Sequence, residues 1–199
     1  MPESMDPLDA DALPTAGITA ITALIDVGKI KSGERVLIQG VGGVGFVAVQ
    51  IAKAHGAHVT ARASGKVIED VKKIGADEVY DYRKMPVEKL GQFDLIFDTA
   101  GTELNALRKH LVKKGRIVTI VVDQIGNVMT SLLYGGHRTR LALGFSTHKR
   151  LDNLKKMVND GNVIPMIDSV YSMEQIAKAH TRAEERGIFG KIIIQIAEE

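Results

Sequence analysis

Apolar positions recur along the chain with two different spacings. Between Ala12 and Ile30 they return at helical intervals, and the polar turn Lys31–Glu34 ends that pattern. Short runs of consecutive apolar residues follow, separated by stretches with helical or turn character. The predicted strands are Val36–Ile38, His58–Ala61, Glu78–Tyr82, Phe93–Asp98 and Arg116–Val122, and the predicted helices are Gly43–His55, Lys66–Ile74 and Glu103–Leu111. Because short apolar strands interleaved with helices form parallel sheets covered on both faces, we predict an α/β fold.

The middle of the chain is less regular. Residues 123–139 include three glycines and show no clear period. After them, Leu141–Phe145 is a candidate sixth strand and Leu151–Val158 is predicted to form an amphipathic helix.

The last part of the chain predicts a helix followed by a strand. Ser172 and Gln175 fit a capping box at the start of a helix that runs to about Arg186, with Gly187 as its C′ residue. The final run, Lys191–Ile196, is a strand that is apolar on both faces. Such a strand requires a covering partner.

A glycine-rich turn joins the first predicted strand to the helix after it. Glycines in a GxGxxG pattern permit the tight turn, let the backbone approach a pyrophosphate, and allow the helix to pack closely on the strand. The free N–H groups at the start of the helix then receive the phosphates. We therefore predict a Rossmann doubly wound parallel sheet with helices on both faces, in which Gly40, Gly42, Gly43, Val44 and Gly45 bind a dinucleotide. A glycine turn without a ligand is the alternative.

The end of the second predicted strand indicates which dinucleotide binds. NAD-specific sites place Asp or Glu about 20 residues beyond the loop, where the carboxylate accepts hydrogen bonds from the ribose 2′-hydroxyl. This chain has Arg62, Ser64 and Lys66 in that stretch. Two cations and a hydroxyl suit a 2′-phosphate, because charge-assisted hydrogen bonds to phosphate are strong, so we expect NADP(H) rather than NAD(H). The alternative is that Arg62 and Lys66 are solvated.

Composition and charge narrow the function further. The chain has 199 residues, with 26 Lys and Arg against 24 Asp and Glu, and lacks the basic block that nucleic-acid binding needs. It has no Cys, and its 6 His show no spacing to carboxylates typical of a metal site or a catalytic triad. We expect no metal, no nucleic-acid partner, no membrane span and a cytoplasmic location. No catalytic dyad is visible, so the catalytic residues stay unassigned.

Several segments together resemble one enzyme superfamily. They are Leu13–Ala20, Gly33–Gln50, Ile74–Val79, Phe93–Gly101 and Gly190–Ile192, in family order along nearly the whole chain. The chain resembles the medium-chain dehydrogenase/reductase superfamily, and within it the zinc-independent quinone oxidoreductase, or zeta-crystallin-like, branch.

The resemblance implies positions for further cofactor contacts. Thr19 would lie near the nicotinamide, and Val121 and Val122 would pass along its ring. Ser64, Lys66 and Tyr82 would surround the 2′-phosphate. For Tyr82, packing at a strand end is an equal alternative.

The chain also departs from this family. Zinc-dependent members carry a Cys ligand in the segment where this chain offers Thr15, so no catalytic zinc is expected. Members also carry an N-terminal GroES-like catalytic domain of roughly 120 residues that is missing here. We divide the chain into an interdomain helix segment (1–32), an NADP-binding Rossmann domain (33–163) and a strand–helix–strand (164–199) that in the family returns to the catalytic domain.

The resemblance implies an oxidoreductase of the quinone or enone reductase type. Hydride would pass from the nicotinamide of NADP(H) to a quinone or an α,β-unsaturated carbonyl. The alternative is a nucleotide-binding module without turnover, either a redox-sensing or interaction subunit or a half-enzyme completed by a separate catalytic chain. The family mode of dimerisation would pair Leu141–Phe145 across a twofold axis, so a homodimer through the sheet edge is expected.

Overall fold

The strands of the main sheet all run parallel. The computed structural model of the chain describes residues 5–121, 126, 139–185 and 187–196. Within them, the strands of this sheet are β1 (Arg35–Gln39), β2 (His58–Ala63), β3 (Glu78–Asp81), β4 (Phe93–Asp98), β5 (Leu111–Thr119) and β6 (Thr139–Leu141). Their spatial order is β3-β2-β1-β4-β5-β6. The chain moves outward from β1 in one direction and resumes at β4 in the other, so the winding reverses between these two strands.

Helices connect the strands and cover both faces of the sheet. They are α1 (Pro7–Asp11), α2 (Pro14–Ile21) continuing as a π-helical stretch (Thr22–Val27), α3 (Gly45–Ala54), α4 (Ile68–Lys73), α5 (Leu104–Arg108), α6 (His148–Asn159) and α7 (Ile176–Glu184). Short 3₁₀ turns lie at Gly65–Val67, Val87–Lys89 and Met173–Gln175. The single helix predicted over Ala12–Ile30 is thus α2 with its π-helical extension, and Pro14 begins it at a position that needs no backbone donor.

The two faces of the sheet bury separate apolar clusters. Leu37 and Ile96 point to the face covered by α5, where they pack with Leu107. Ile38 and Phe97 point to the opposite face, into the cluster that includes residues of α2 and α3. Because side chains alternate along a strand, the continuous apolar runs supply both faces at once. The predicted doubly wound α/β fold is confirmed.

Two strand predictions were wrong in their bounds. β5 begins at Leu111 instead of Arg116, because its first residues pair with β4 across an irregularity that absorbs the polar residues in between. The sixth strand ends at Leu141, where it was predicted to begin. Beyond it the backbone N–H of Phe145 donates to the carbonyl of Leu143 at 3.1 Å, so this segment folds on itself instead of continuing along β5.

The C-terminal segment forms a second, two-stranded sheet. β7 (Ile167–Ser172) pairs in parallel with β8 (Lys191–Gln195), and α7 connects them. The predicted capping box of Ser172 and Gln175 is present. The helix ends at Glu184 with Glu185 as its C-cap, so the prediction of Gly187 as the C′ residue was wrong. Gly187 instead has a φ of +86° further along the loop.

The N-terminal helices are long and apolar enough to cross a membrane by length and composition. The segment Pro7–Val27 has 21 residues and contains an 18-residue window with a mean hydropathy of 1.3. We expected no membrane span from the sequence, but this segment has the length and composition of one. However, 61% of that window is buried inside the fold. Ala16, Ile21 and Leu24 belong to the same core as α3, so the hydropathy of this segment is that of a core helix.

Candidate functional site

The turn between β1 and α3 is built by two glycines that no larger residue could replace without distortion. Gly40 has a φ of +91°, and a Cβ there would lie 2.5 Å from Oγ1 of Thr99. The Thr99 hydroxyl donates to the carbonyl of Gly40 at 2.9 Å and fixes the turn from the neighbouring strand end. A Cβ on Gly45 would overlap the Gly40 carbonyl oxygen. These contacts give Gly40 and Gly45 the turn and packing roles that the sequence predicted.

The two glycines between them border a space whose nearest atoms, in the loop before β8, lie at ordinary contact distance from a Cβ on either residue. A Cβ on Gly42 would meet only the carbonyl oxygen of Ile188, at 3.7 Å, and one on Gly43 would meet that of Gly190 at 3.5 Å. Val44 is the N-cap of α3, and its side chain supplies no acceptor for the first N–H groups of the helix. The positive end of the helix dipole is therefore directed at this space, as anion binding requires.

A cavity of about 620 Å³ adjoins the turn at the carboxyl ends of β1, β2 and β4. This is where the winding of the sheet reverses, and ligands of open α/β sheets bind at such a position. Its walls come from the glycine turn, the ends of β2 and β3, the start of α5, and the loop from α7 to β8. The lining residues include Gln39, Gly40, Val41, Gly42, Gly43, Arg62, Ser64, Tyr82, Thr102, Glu103, Gly187, Ile188, Gly190 and Lys191.

The structure brings most of the predicted adenosine-side residues together. Ser64 and Tyr82 line the cavity, and Ser64 accepts the N–H of Lys66 at 3.5 Å. A Cβ on Gly187 would lie 3.3 Å from Oγ of Ser64 and 3.1 Å from Cδ of Lys66, so Lys66 borders the same wall. The guanidinium carbon of Arg83 lies 5.5 Å from the centroid of the Tyr82 ring, which adds a further cation to this end.

Thr19 and Val121, which were expected near the nicotinamide, are not among the residues that line this cavity. The hydroxyl of Thr19 donates to the carbonyl of Thr15 at 2.7 Å, and this threonine packs against Gly144. The N–H of Val121 donates to Oγ1 of Thr119 at 3.2 Å. Val122 lies outside the described residues.

Arg62 departs from the expected role. Its side chain is only 1% exposed, because it pairs in register with Gln39 and shares with Leu37 the face covered by α5. The guanidinium donates to Oε1 of Gln39 at 3.1 Å, to Oε2 of Glu103 at 3.0 Å and to the carbonyls of Tyr82 and Met85 at 3.3 and 3.0 Å. The cation that the sequence assigned to a 2′-phosphate is therefore engaged by the protein itself.

Sequence reasoning missed three charged residues of the cavity, Glu103, Glu185 and Lys191. Glu103 is the N-cap of α5, with a left-handed φ of +60° and a side chain that is 43% exposed. Lys191 begins β8, and its Nζ lies 3.9 Å from where a Cβ on Gly43 would be. Within the described part of the chain, neither Lys66 nor Lys191 takes part in a salt bridge. All three missed residues are far from the glycine turn in sequence, so no local signal pointed to them.

A buried aspartate supports the loop that carries Glu103. Asp98, at the end of β4, accepts the N–H groups of Ala100 and Gly101, each at 3.1 Å, and the hydroxyl of Thr119 at 3.1 Å. Burial raises the pKa of this carboxyl group, although the three hydrogen bonds favour its charged form. These bonds fix the chain that leads from β4 to the cavity wall.

Metal ligation finds no support in these residues. Among residues 5–121, 126, 139–185 and 187–196, no three His, Cys, Asp or Glu side chains lie close enough together to hold a metal ion. The chain has no Cys, and zinc in dehydrogenases takes Cys, His or carboxylate ligands. The described residues therefore do not fit a zinc ion.

A strand, a glycine turn and an unshielded helix start, placed at the reversal of a doubly wound sheet, define a Rossmann dinucleotide-binding domain. Residues 74–194 match the family model described as zinc-binding dehydrogenase. The chain belongs to the medium-chain dehydrogenase/reductase superfamily and to its quinone oxidoreductase-like branch.

Individual relatives show the extent of the likeness. NAD(P)H oxidoreductase RTN4IP1, mitochondrial, from Danio rerio is 32% identical over 229 residues, which cover 100% of this chain and 59% of the relative. A chloroplast envelope quinone oxidoreductase homolog from Arabidopsis thaliana is 30% identical to this chain. The alignment covers 98% of this chain and 64% of that relative. The solved quinone oxidoreductase from Coxiella burnetii superposes with a TM-score of 0.89 at 26% identity, over 98% of this chain and 62% of that one. The chain thus spans about three fifths of the length of these proteins.

Proposed function

We propose that this protein is an NADP(H)-dependent oxidoreductase that transfers hydride from the nicotinamide to a quinone or an α,β-unsaturated carbonyl without zinc. The observation that carries the proposal is the glycine turn and open start of α3 facing a cavity of about 620 Å³. The names of the relatives, NAD(P)H oxidoreductase and quinone oxidoreductase, support the reaction class.

The residues of the cavity fit the pyrophosphate of a dinucleotide. Gly42 and Gly43 leave room for phosphate oxygens against the backbone, and the N-terminus of α3 supplies N–H donors. Lys191 brings a cation to the same place from β8. Positive charge from the α3 N-terminus on one side and from Lys191 on the other suits the pyrophosphate, which carries two negative charges.

The adenosine end favours a 2′-phosphate. Ser64 and Tyr82 line it, Lys66 borders it, and Arg83 lies beside the Tyr82 ring. Hydroxyl and cationic groups of this kind bind phosphate through charge-assisted hydrogen bonds. The end of β2 supplies no carboxylate to bind a ribose 2′-hydroxyl, which is the feature of NAD-specific sites.

The bound nicotinamide would supply the hydride. The chain's own contribution is to hold and orient the dinucleotide, since hydride transfer depends mainly on the position of the ring against its acceptor. Thr19, Val121 and Val122 stay proposed as its neighbours from the family resemblance. No side chain of the described residues is assigned the role of proton donor.

Titration of the purified chain with NADPH and NADH by calorimetry, followed by addition of a quinone, tests the proposal. We expect NADPH to bind more tightly than NADH, and the quinone to remove the reduced-nicotinamide absorbance. Binding without turnover would favour a nucleotide-binding module completed by a separate catalytic chain. Absence of binding by either nucleotide would contradict the proposed function.

We also propose that two copies associate through the edge of the sheet near β6. In the described part of the chain, no further strand pairs with the outer edge of β6, and Leu143 and Phe145 just beyond it are 48% and 69% exposed. Apolar side chains at an unpaired edge favour association. A monomeric mass at micromolar concentration in sedimentation would contradict this proposal.

A further inference from the structure

Arg62 joins two loops that flank the adenosine end of the cavity. Its guanidinium donates to the carbonyls of Tyr82 and Met85 in the loop after β3, and to the carboxylate of Glu103 at the start of α5. The side chain is 1% exposed, so these interactions take place away from bulk water. Electrostatic interactions are stronger in such surroundings than at the surface.

Glu103 is a carboxylate on the wall of the cavity. It lines the same cavity as Ser64 and Tyr82, the Arg62 guanidinium bridges it to the carbonyl of Tyr82, and 43% of its side chain is exposed. An unpaired carboxylate at this position would repel a 2′-phosphate, because like charges at short range disfavour each other. The Arg62 cation, 3.0 Å from Oε2 of Glu103, cancels that charge.

We propose that Arg62 is a specificity-determining positioning residue, which neutralises Glu103 so that the cavity accepts the 2′-phosphate of NADP(H). This inference rests on the proposed function. Arg62 does not have to touch the phosphate. It removes a repulsion that NAD(H) does not experience, since NAD(H) has a 2′-hydroxyl in that place.

The proposal predicts opposite effects for the two partners. In Arg62→Met the carboxylate of Glu103 loses its counter-ion, and we expect the Kd for NADPH to rise about tenfold relative to that for NADH. In Glu103→Gln the positive charge of Arg62 is no longer balanced by a carboxylate, and we expect the NADPH preference to increase severalfold. The double variant should return close to the wild-type ratio, because both charges are gone. Arg62→Lys keeps the charge and should keep most of the preference.

A matched control separates selectivity from general stability. Arg116 and Glu34 form another ion pair with little exposure, 2.7 Å apart, outside the cavity lining. Arg116→Met and Glu34→Gln should lower the melting temperature and leave the ratio of the two Kd values unchanged. Calorimetry at low ionic strength gives both Kd values directly, and the effects should shrink as salt is added.

The possible outcomes are distinguishable. If the wild-type protein binds neither nucleotide, the proposed function fails. If it binds them but Arg62→Met and Glu103→Gln leave the ratio unchanged, or shift it in the same direction, the role assigned to Arg62 is overturned. If Arg62→Met does not fold, Glu103→Gln still decides, because a glutamine amide oxygen at this position can accept the hydrogen bond of the Arg62 guanidinium, and an increased NADPH preference is required.

Discussion

Replacement of single glycines by alanine separates the structural glycines of the turn from the ligand-facing ones. The informative set is Gly42→Ala, Gly45→Ala and, as a matched control outside the site, Gly91→Ala. A Cβ on Gly91 meets nothing within 4 Å. A Cβ on Gly42 has its nearest neighbour at 3.7 Å, an ordinary contact distance, whereas one on Gly45 overlaps a backbone oxygen.

The expected magnitudes follow from these distances. Gly45→Ala forces the turn and the helix apart, which costs about 1–3 kcal/mol of stability as for other overpacked sites. Gly42→Ala should change the free energy of unfolding by less than about 0.5 kcal/mol, since the methyl group meets only ordinary contacts. The same methyl group would occupy the space of a phosphate oxygen. Loss of one hydrogen bond to a charged group, about 1.5–3 kcal/mol, corresponds to roughly a tenfold to hundredfold weaker binding of NADPH and NADH alike.

Two measurements check the set. Urea unfolding gives the stability of each variant, and calorimetric titration gives its nucleotide affinity. Gly42→Ala should keep wild-type stability and lose binding, Gly45→Ala should lose both, and Gly91→Ala should keep both. Wild-type affinity in a fully folded Gly42→Ala variant would show that the pyrophosphate does not lie on this turn, and the site would have to be assigned elsewhere.

Three further changes test other parts of the structure. Lys191→Met should weaken NADPH and NADH equally, by roughly tenfold for a lost charged contact, and unequal losses by calorimetry would remove this lysine from the pyrophosphate. Burial disfavours the charged form of Asp168, but the hydrogen bonds that it accepts from Arg182, the N–H of Phe189 and Ser169, together with the charge of Arg182, outweigh this and lower its pKa. Its contribution to stability is therefore present above pH 3.8 and is lost as the pH falls through the lower pKa of the folded state. Asp168→Asn should lower the free energy of unfolding by about 1–3 kcal/mol at neutral pH in urea unfolding. The difference from the wild type should disappear on acidification. As a control, replacement of the exposed Asp160 by Asn should cost almost nothing. Leu107 is fully buried under the sheet, so Leu107→Ala should cost about 2–5 kcal/mol in the same assay. A smaller loss would show that neighbouring side chains fill the space left by the leucine.

The glycine turn and the strands near it could be predicted from the sequence because their signals are local. Val36, Leu37 and Ile38 are apolar in succession, which marks a strand buried on both faces, and the glycine spacing that follows reports on backbone space within a few residues. Where the local signal was mixed, the bounds failed. Because Lys113 is charged, the first half of β5 was not predicted as a strand. Because Leu143 is apolar, the sixth strand was predicted to continue past Leu141, where it ends in the structure.

The charges of the cavity depended on tertiary contacts. The sequence shows Arg62 close to the position of a nucleotide-binding residue, but the alternation of side chains on β2 turns it inward, toward a carboxylate 41 positions away. The sequence likewise gives no reason to place Lys191 beside Gly43, because only the packing of the β7–α7–β8 unit against the turn brings them together. The sequence by itself therefore determined the sheet and the glycine turn, since periodicity and glycine spacing act over a few residues. The tertiary structure decided which charged groups face the cavity, because long-range packing sets the direction of each side chain.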